Sequence, residues 1–314
     1  MPRLILSRLL QLPVILGVIF AVTLVLTWLL PGNPLQRAEG PRLPPEVLRA
    51  VERQYAMDSP WAFAGQYVRG LVAGSELHGW PDLGPSLIYR DQRVIDLLGQ
   101  GLRTSVPLGF AGVGIALVVG TLAGLAGAWR PGSAVDGVAL GVALVGVSLP
   151  NFVTGAVLLV VFGGWLGWLP VGGLQTPLHA VLPAVTLSVI PAAYIARLVR
   201  LGLAEVMSSD FVRTARAKGL SRERALLKHA LRVALLPVLS FLGPATAAAM
   251  TGSFVVEEVF SLPGMGRYFV EAVLAKDQFL IMGTVLTYST LLVLLNLAVD
   301  VLYAVVDPRI RGAG

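Results

Sequence analysis

Long apolar runs separated by short charged interruptions dominate the chain. Residues 9–30, 102–128, 137–162, 178–198, 235–256 and 279–306 are each long enough to cross a hydrocarbon core as a helix, which predicts six spans. Arg3 and Arg8 precede the first run, which ends in Leu-Leu-Pro-Gly-Asn-Pro without a small-residue cleavage site, so a retained anchor is expected rather than a removed leader. Prolines interrupt several runs: Pro150 in the third, Pro183 and Pro191 in the fourth, Pro237 and Pro244 near the start of the fifth. A proline inside a span frees a backbone carbonyl, so Pro150 marks either a packing kink or a gate beside a cavity. Gly120 and Gly124, then Gly137 and Gly141, repeat the four-residue spacing that lets helix backbones approach closely.

Between the first two runs, residues 31 to about 100 are polar and proline-rich. Pro44-Pro45-Glu46 followed by Val47, Leu48, Val51 and Tyr55 predicts a proline-started amphipathic helix. After Asp58-Ser59-Pro60, the residues Trp61, Phe63, Tyr67, Val68 and Leu71 predict a second one with an apolar stripe. Tyr55, Trp61, Phe63 and Tyr67 are large, stiff side chains of the kind that anchor interfaces, and they are the candidate contacts of this region. The division expected is therefore 1–30 (first span), 31–100 (polar region) and 101–314 (helical core), the last containing a charged loop at 204–233.

Composition fixes the class. With 314 residues, 55% of them hydrophobic, 13% charged and a mean hydropathy of +0.77, the chain reads as an all-α integral membrane protein. The formal charge of +6 sits in loops beside the apolar runs, as the positive-inside rule requires, so it points to the membrane and not to nucleic acid. That rule places both termini and residues 204–233 in the cytoplasm and residues 31–100 outside. Cysteine is absent, which removes disulfides, Cys-based metal sites and thiol nucleophiles. No phosphate-binding loop, HExxH or GxSxG pattern occurs, and His78, His179 and His229 fall at different depths. No catalytic or metal-ligating set is predicted, so a solute pump of this kind would take its energy from another subunit.

The candidate contact for such a subunit is the charged stretch from Ser208 to Arg224. Ser209 or Asp210 can cap a helix beginning at Phe211, and Gly219 can end it after about two turns in the left-handed conformation. Ser221 can cap a second helix. The predicted docking residues are Asp210, Phe211, Arg213, Thr214, Ala215, Arg216, Ala217, Lys218, Gly219 and Leu220. In the last run Asn296, Asp300, Tyr303 and Asp307 recur at helical spacing. A carboxylate inside a span is costly, so Asp300 either lines a pathway or pairs with a basic neighbour such as Arg197 or Arg200. Its place two turns from the inner end favours pairing.

Arg213-Thr214-Ala215-Arg216-Ala217-Lys218-Gly219, followed by His229-Ala230-Leu231-Arg232, resembles the cytoplasmic loop of binding-protein-dependent ABC importer permeases, and within them the oligopeptide, dipeptide and nickel branch. Gly219, Leu231 and Ala215 match the general family pattern by spacing. Arg213 and Thr214 replace its glutamate and first alanine, and His229 and Arg232 its isoleucine and proline. Leu30-Pro31-Gly32-Asn33-Pro34, Leu83-Gly84-Pro85-Ser86, Leu262-Pro263-Gly264-Met265-Gly266 and Asp300-Val301-Leu302-Tyr303 with Asp307-Pro308-Arg309 extend the resemblance to the first permease subunit of that branch. The resemblance implies a type I importer fold in a prokaryotic inner membrane and a pathway shared with a second permease. It also implies an external solute-binding protein that meets the 31–100 region, and two cytoplasmic ATPase subunits that carry ATP and Mg and dock at the 204–233 loop. This chain itself would bind no cofactor.

Overall fold

The computed structural model describes residues 2–31, 44–75, 79–89, 91–251 and 253–306, and these are helical nearly throughout. In order come α1 (Pro2–Leu29), α2 (Pro45–Gln54), α3 (Pro60–Ala73), α4 (Val94–Trp129), α5 (Ala134–Ser148) and α6 (Asn151–Leu158), extended by a π-helical stretch to Trp165. A short 3-10 turn (Pro177–Ala180) leads into α7 (Val181–Met207). Then follow α8 (Asp210–Ala217), α9 (Arg222–Ala225), a π-helical stretch Leu226–Ala230, α10 (Leu231–Ala234), α11 (Leu236–Thr251), α12 (Ser253–Val259), α13 (Met265–Ala275) and α14 (Gln278–Val306). Among the described residues Leu9–Leu29, Val94–Trp129, Pro177–Met207 and Gln278–Leu302 are long and apolar enough to cross a membrane singly. Two bent pairs bring the total to six if each is one span.

The prolines explain where the path bends and where it does not. Leu149 precedes Pro150, which excludes it from the helical region, and it adopts φ −91°, ψ 131°, so α5 stops there. The pair Ala134–Ser148 and Asn151–Trp165 consequently bends by 109°, so the apolar stretch read as the third span is broken at Pro150 into two helices. At Leu235 the bend between Arg222–Ala234 and Leu236–Met250 is 46°. The break expected in the fourth run is absent: Pro183 lies in the first turn of α7, where its missing N–H costs nothing, and α7 continues through Pro191 to Met207.

The chain forms two compact units. One comprises Ser105–Leu262 and the end of α14 from Leu294, with a few N-terminal residues; the other comprises Leu6–Thr104 and Pro263–Val293. In the first, α4 and α7 meet backbone to backbone. A Cβ at Gly120 would lie 2.6 Å from the Ala192 carbonyl oxygen and one at Gly124 would lie 2.5 Å from that of Ala196, so only glycine permits this approach. At Gly137 and Gly141 an added Cβ would meet nothing described in this chain, so the second glycine pair is not used in the same way. Ile195, Val199, Leu203, Leu226, Ala230, Ala234 and Val238 form a buried cluster that seats the residues after α8 on the last turns of α7.

The second unit is organised by aromatic rings. Phe63 and Tyr67 of α3 and Phe279 of α14 meet with centroids 5.0 Å (Phe63–Phe279) and 5.9 Å (Phe63–Tyr67) apart, joined by Phe20 and Trp28 of α1 and edge-on by Tyr55. Gly84 has φ +82°, and a side chain there would run into the Phe279 ring, which gives the Leu83-Gly84-Pro85-Ser86 segment its glycine. Gly101 in turn leaves room for Met265, whose backbone nitrogen would lie 2.8 Å from an added Cβ.

Candidate functional site

The charged stretch from Ser208 to Arg224 forms an elbow of two short helices, α8 and α9. Helix α8 starts at Asp210, one residue earlier than expected, with Ser209 as N-cap. No side-chain cap forms there, because the Ser209 hydroxyl donates back to the Val206 carbonyl at 2.5 Å. At the other end Gly219 has φ +90°. Its N–H donates to the Arg216 carbonyl (2.9 Å) and the Leu220 N–H to that of Ala215 (3.2 Å), which satisfies two of the free carbonyls of the last turn. Ser221 accepts from the Arg224 N–H and caps α9, as expected. Within α8 one side chain faces inward, Val212, fully buried, and it is absent from the predicted docking set. Asp210, Phe211 (49% exposed), Arg213, Thr214, Arg216, Ala217, Lys218 and Gly219 face out, with Ala215 and Leu220 half-buried. Asp210 and Arg213 approach to 3.4 Å, a solvated pair worth little, so the positive charge of this surface remains available to a partner.

Just before the elbow, Arg200 of α7 donates to Asp136 at the start of α5 through Nε (2.5 Å) and a terminal nitrogen (2.8 Å). Asp136 also accepts from the Gly132 N–H at 2.9 Å and holds the turn between α4 and α5. Pairing of Asp300 with Arg200 is therefore not realised: the guanidinium is committed to a carboxylate that the charge pattern alone does not single out. The signal for it is Ser133-Ala134-Val135-Asp136, the spacing of a capping box, with the Ser133 hydroxyl accepting from the Asp136 N–H at 3.3 Å. Asp300 is half-buried in α14 and Arg197 is exposed. The Asn296 amide oxygen faces Gly243 of α11, where an added Cβ would lie 3.0 Å from it. Pro150 is exposed at the break between α5 and α6.

Sequence reasoning gave Glu257 no site role. It lies fully buried in α12, accepting from the hydroxyls of Ser105 (2.6 Å) and Ser253 (2.7 Å). Ser253 stands one helical turn before it, the only trace of this arrangement in the local sequence.

In the polar region the four candidate anchors separate. Phe63 (1% exposed) and Tyr67 (3%) belong to the aromatic core and present no surface, and Tyr55 is half-buried against Phe279. The reason is that α3 carries apolar residues on two faces, of which the Phe63–Tyr67 face is used internally. Trp61 (82% exposed), Val68 and Val72 follow each other at seven- and four-residue spacing on another face, and with Trp80 they form the exposed apolar part of this region. Burial, and then the charges of Asp82 and Asp277, push the Tyr67 phenol well above its ordinary value. Asp277, before α14, accepts from the Ser86 hydroxyl (2.7 Å) and from the N–H groups of Leu87 (2.6 Å), Ile88 (3.3 Å) and Leu280 (3.0 Å). Burial pushes this carboxyl up from the usual range while those donors pull it back. Ser86 of the Leu83–Ser86 motif thereby acquires a structural task. Residues 32–34, His78 and residues 307–309, and the side chains of Val47, Leu48, Val51 and Tyr303, lie outside what the structure describes.

Residues 116–312 match the family described as binding-protein-dependent transport system inner membrane component, and residues 1–109 match its N-terminal companion. The chain belongs to this family of transport permeases. It is 40% identical over 314 residues to the oligopeptide transport system permease protein OppB of Haemophilus influenzae, covering 99% of this chain and 100% of that protein. To the dipeptide transport system permease protein DppB of Bacillus subtilis it is 39% identical over 294 residues, covering 94% of this chain and 93% of that one. A chain from a crystal form of the MetNI methionine ABC transporter in inward-facing conformations superposes with a TM-score of 0.56 at 22% identity, covering 68% of this chain and 97% of that one. The fold is that of a type I ABC importer permease, as the elbow sequence implied.

Proposed function

We propose that this permease conducts di- or oligopeptides across a prokaryotic inner membrane as one of two permeases in an ABC importer. The observation that carries the peptide reading is the 40% identity, over essentially the whole of both chains, to a permease named for oligopeptide transport. In this reading ATP and Mg are held by two cytoplasmic ATPase subunits, which dock at the α8 surface from Asp210 to Leu220. The external solute-binding protein meets the second unit at Trp61, Val68, Val72 and Trp80. Both chain termini are cytoplasmic. Closure of the ATPase pair displaces the elbow, and helices carried with it expose the pathway to the opposite side.

The test is uptake of labelled dipeptides and longer peptides into proteoliposomes holding this chain, its partner permease, the ATPase subunits and loaded binding protein. ATP-dependent peptide uptake supports the reading. ATP-dependent uptake of nickel chelates or glutathione without peptide uptake overturns the substrate assignment and leaves the importer. Solute uptake by this chain without nucleotide, as in a secondary transporter, overturns both.

A further inference from the structure

An elbow that receives a push transmits it only as far as its mechanical connections reach. Helix α7 ends at Met207, two residues before α8, and the cluster of Val199, Leu203, Leu226 and Ala230 binds the stretch after α9 to its last turns. Displacement of the elbow is thus delivered to α7. Toward α4 the contact is close packing, with Gly120 against the Ala192 carbonyl and Ile195 and Gly124 against the Ala196 carbonyl and Val199, and apolar packing of this kind is non-directional.

The Asp136–Arg200 pair is different in kind. Two N–H···O bonds of 2.5 and 2.8 Å, from different guanidinium nitrogens to different carboxylate oxygens, fix both the distance and the rotation of α7 relative to the first turn of α5. The third acceptor contact, from Gly132 at 2.9 Å, extends the grip to the turn that ends α4. Gly127 of α4 makes room for the pair: a Cβ there would lie 2.9 Å from an Asp136 oxygen and 3.4 Å from Arg200 Cδ. The carboxylate side chain is only 3% exposed and the guanidinium 26%, and burying charges this way is a poor device for stability alone, since apolar side chains of similar volume hold helices together at least as well.

We infer that Asp136 and Arg200 are positioning residues for transport, a clamp that makes the α4–α5 turn move as one body with α7 and the elbow. The inference rests on the elbow being the ATPase dock. With the clamp intact, elbow movement reaches α4 and α5. With it broken, the α4–α5 turn no longer holds a fixed distance and rotation against α7, and ATP is hydrolysed with less solute moved.

The test measures solute taken up per ATP hydrolysed in the assembled importer. Arg200→Lys keeps the charge and loses the fork, and Asp136→Asn keeps the shape and loses the charge. In both, uptake per ATP is expected to fall at least about fivefold while ATP hydrolysis stimulated by loaded binding protein persists. The chain has no cysteine, so Asp136→Cys with Arg200→Cys, bridged by a short bifunctional thiosulfonate, should restore much of the ratio. If uptake and hydrolysis fall in parallel with an unchanged ratio, or if the bridge restores nothing, the pair is only structural and the inference fails. Gly219→Val separates the two levels. If that elbow variant leaves uptake and hydrolysis at wild-type values, the docking reading itself is wrong. If it abolishes uptake and Arg200→Lys leaves the ratio unchanged, only the clamp is wrong.

Discussion

Helices α8 and α3 are both short and amphipathic, yet they divide their side chains between core and surface by different physics. In α8 the neighbours of Val212 are largely charged or small, and burying an unpaired charge is expensive, so only one orientation of the helix is affordable. In α3 the sole charged side chain is Arg69, and aromatic or aliphatic residues occupy two faces, so either could be buried. The partners decide: Phe279, Phe20 and Trp28 take Phe63 and Tyr67, and Trp61, Val68 and Val72 are left outside. A docking surface is what remains after the chain's own core has been served.

The largest expected effect breaks that distinction within α3. Phe63→Ala removes a ring from a closed aromatic cluster and should destabilise the second unit by about 3–5 kcal/mol, seen as a lower denaturation midpoint in lipid. Trp61→Ala should change stability by no more than about 0.5 kcal/mol while reducing stimulation of ATP hydrolysis by loaded binding protein. Equal stability losses at the two positions would erase the contrast.

A smaller effect is expected in the elbow. An added side chain at Gly219 meets open space, so Gly219→Val suffers only from the positive φ, at a cost of about 1–2 kcal/mol. The protein should insert and fold, yet uptake should be lost because the carbonyl-satisfying turn that orients Arg216 and Lys218 no longer forms. Wild-type uptake in this variant would remove the elbow from the account.

The smallest effect concerns pH. Asp277 has its carboxyl raised by burial, so its contribution to stability is complete below the ordinary carboxylate range and is lost as pH rises through the raised value. The denaturation midpoint of the wild type should therefore decline across that window, and Asp277→Asn should abolish that part of the decline. A variant that keeps the full pH dependence would assign it to other groups.

What was legible in the sequence follows the same logic. The elbow could be read because glycine, serine and charge each force one local outcome, as Gly219 and Ser221 show. The spans could be read from hydropathy, although the 109° break at Leu149-Pro150 depended on how far a pre-proline residue departs from helix. Asp136 and Glu257 could not be placed, because the partners that make them tolerable in a buried position, Arg200 and Ser105, are 64 and 152 residues away in the chain. The inward placement of Phe63 and Tyr67 is not legible, because periodicity shows that a face is apolar and not what it faces.

The most direct test uses the absence of cysteine. Single cysteines at Phe211 and at Trp61, each carrying a photoreactive cross-linker, report what each exposed face touches in the assembled importer. Phe211→Cys is expected to capture an ATPase subunit and Trp61→Cys the solute-binding protein. Capture of the ATPase subunit from Trp61→Cys, or of the binding protein from Phe211→Cys, would contradict the two assigned surfaces.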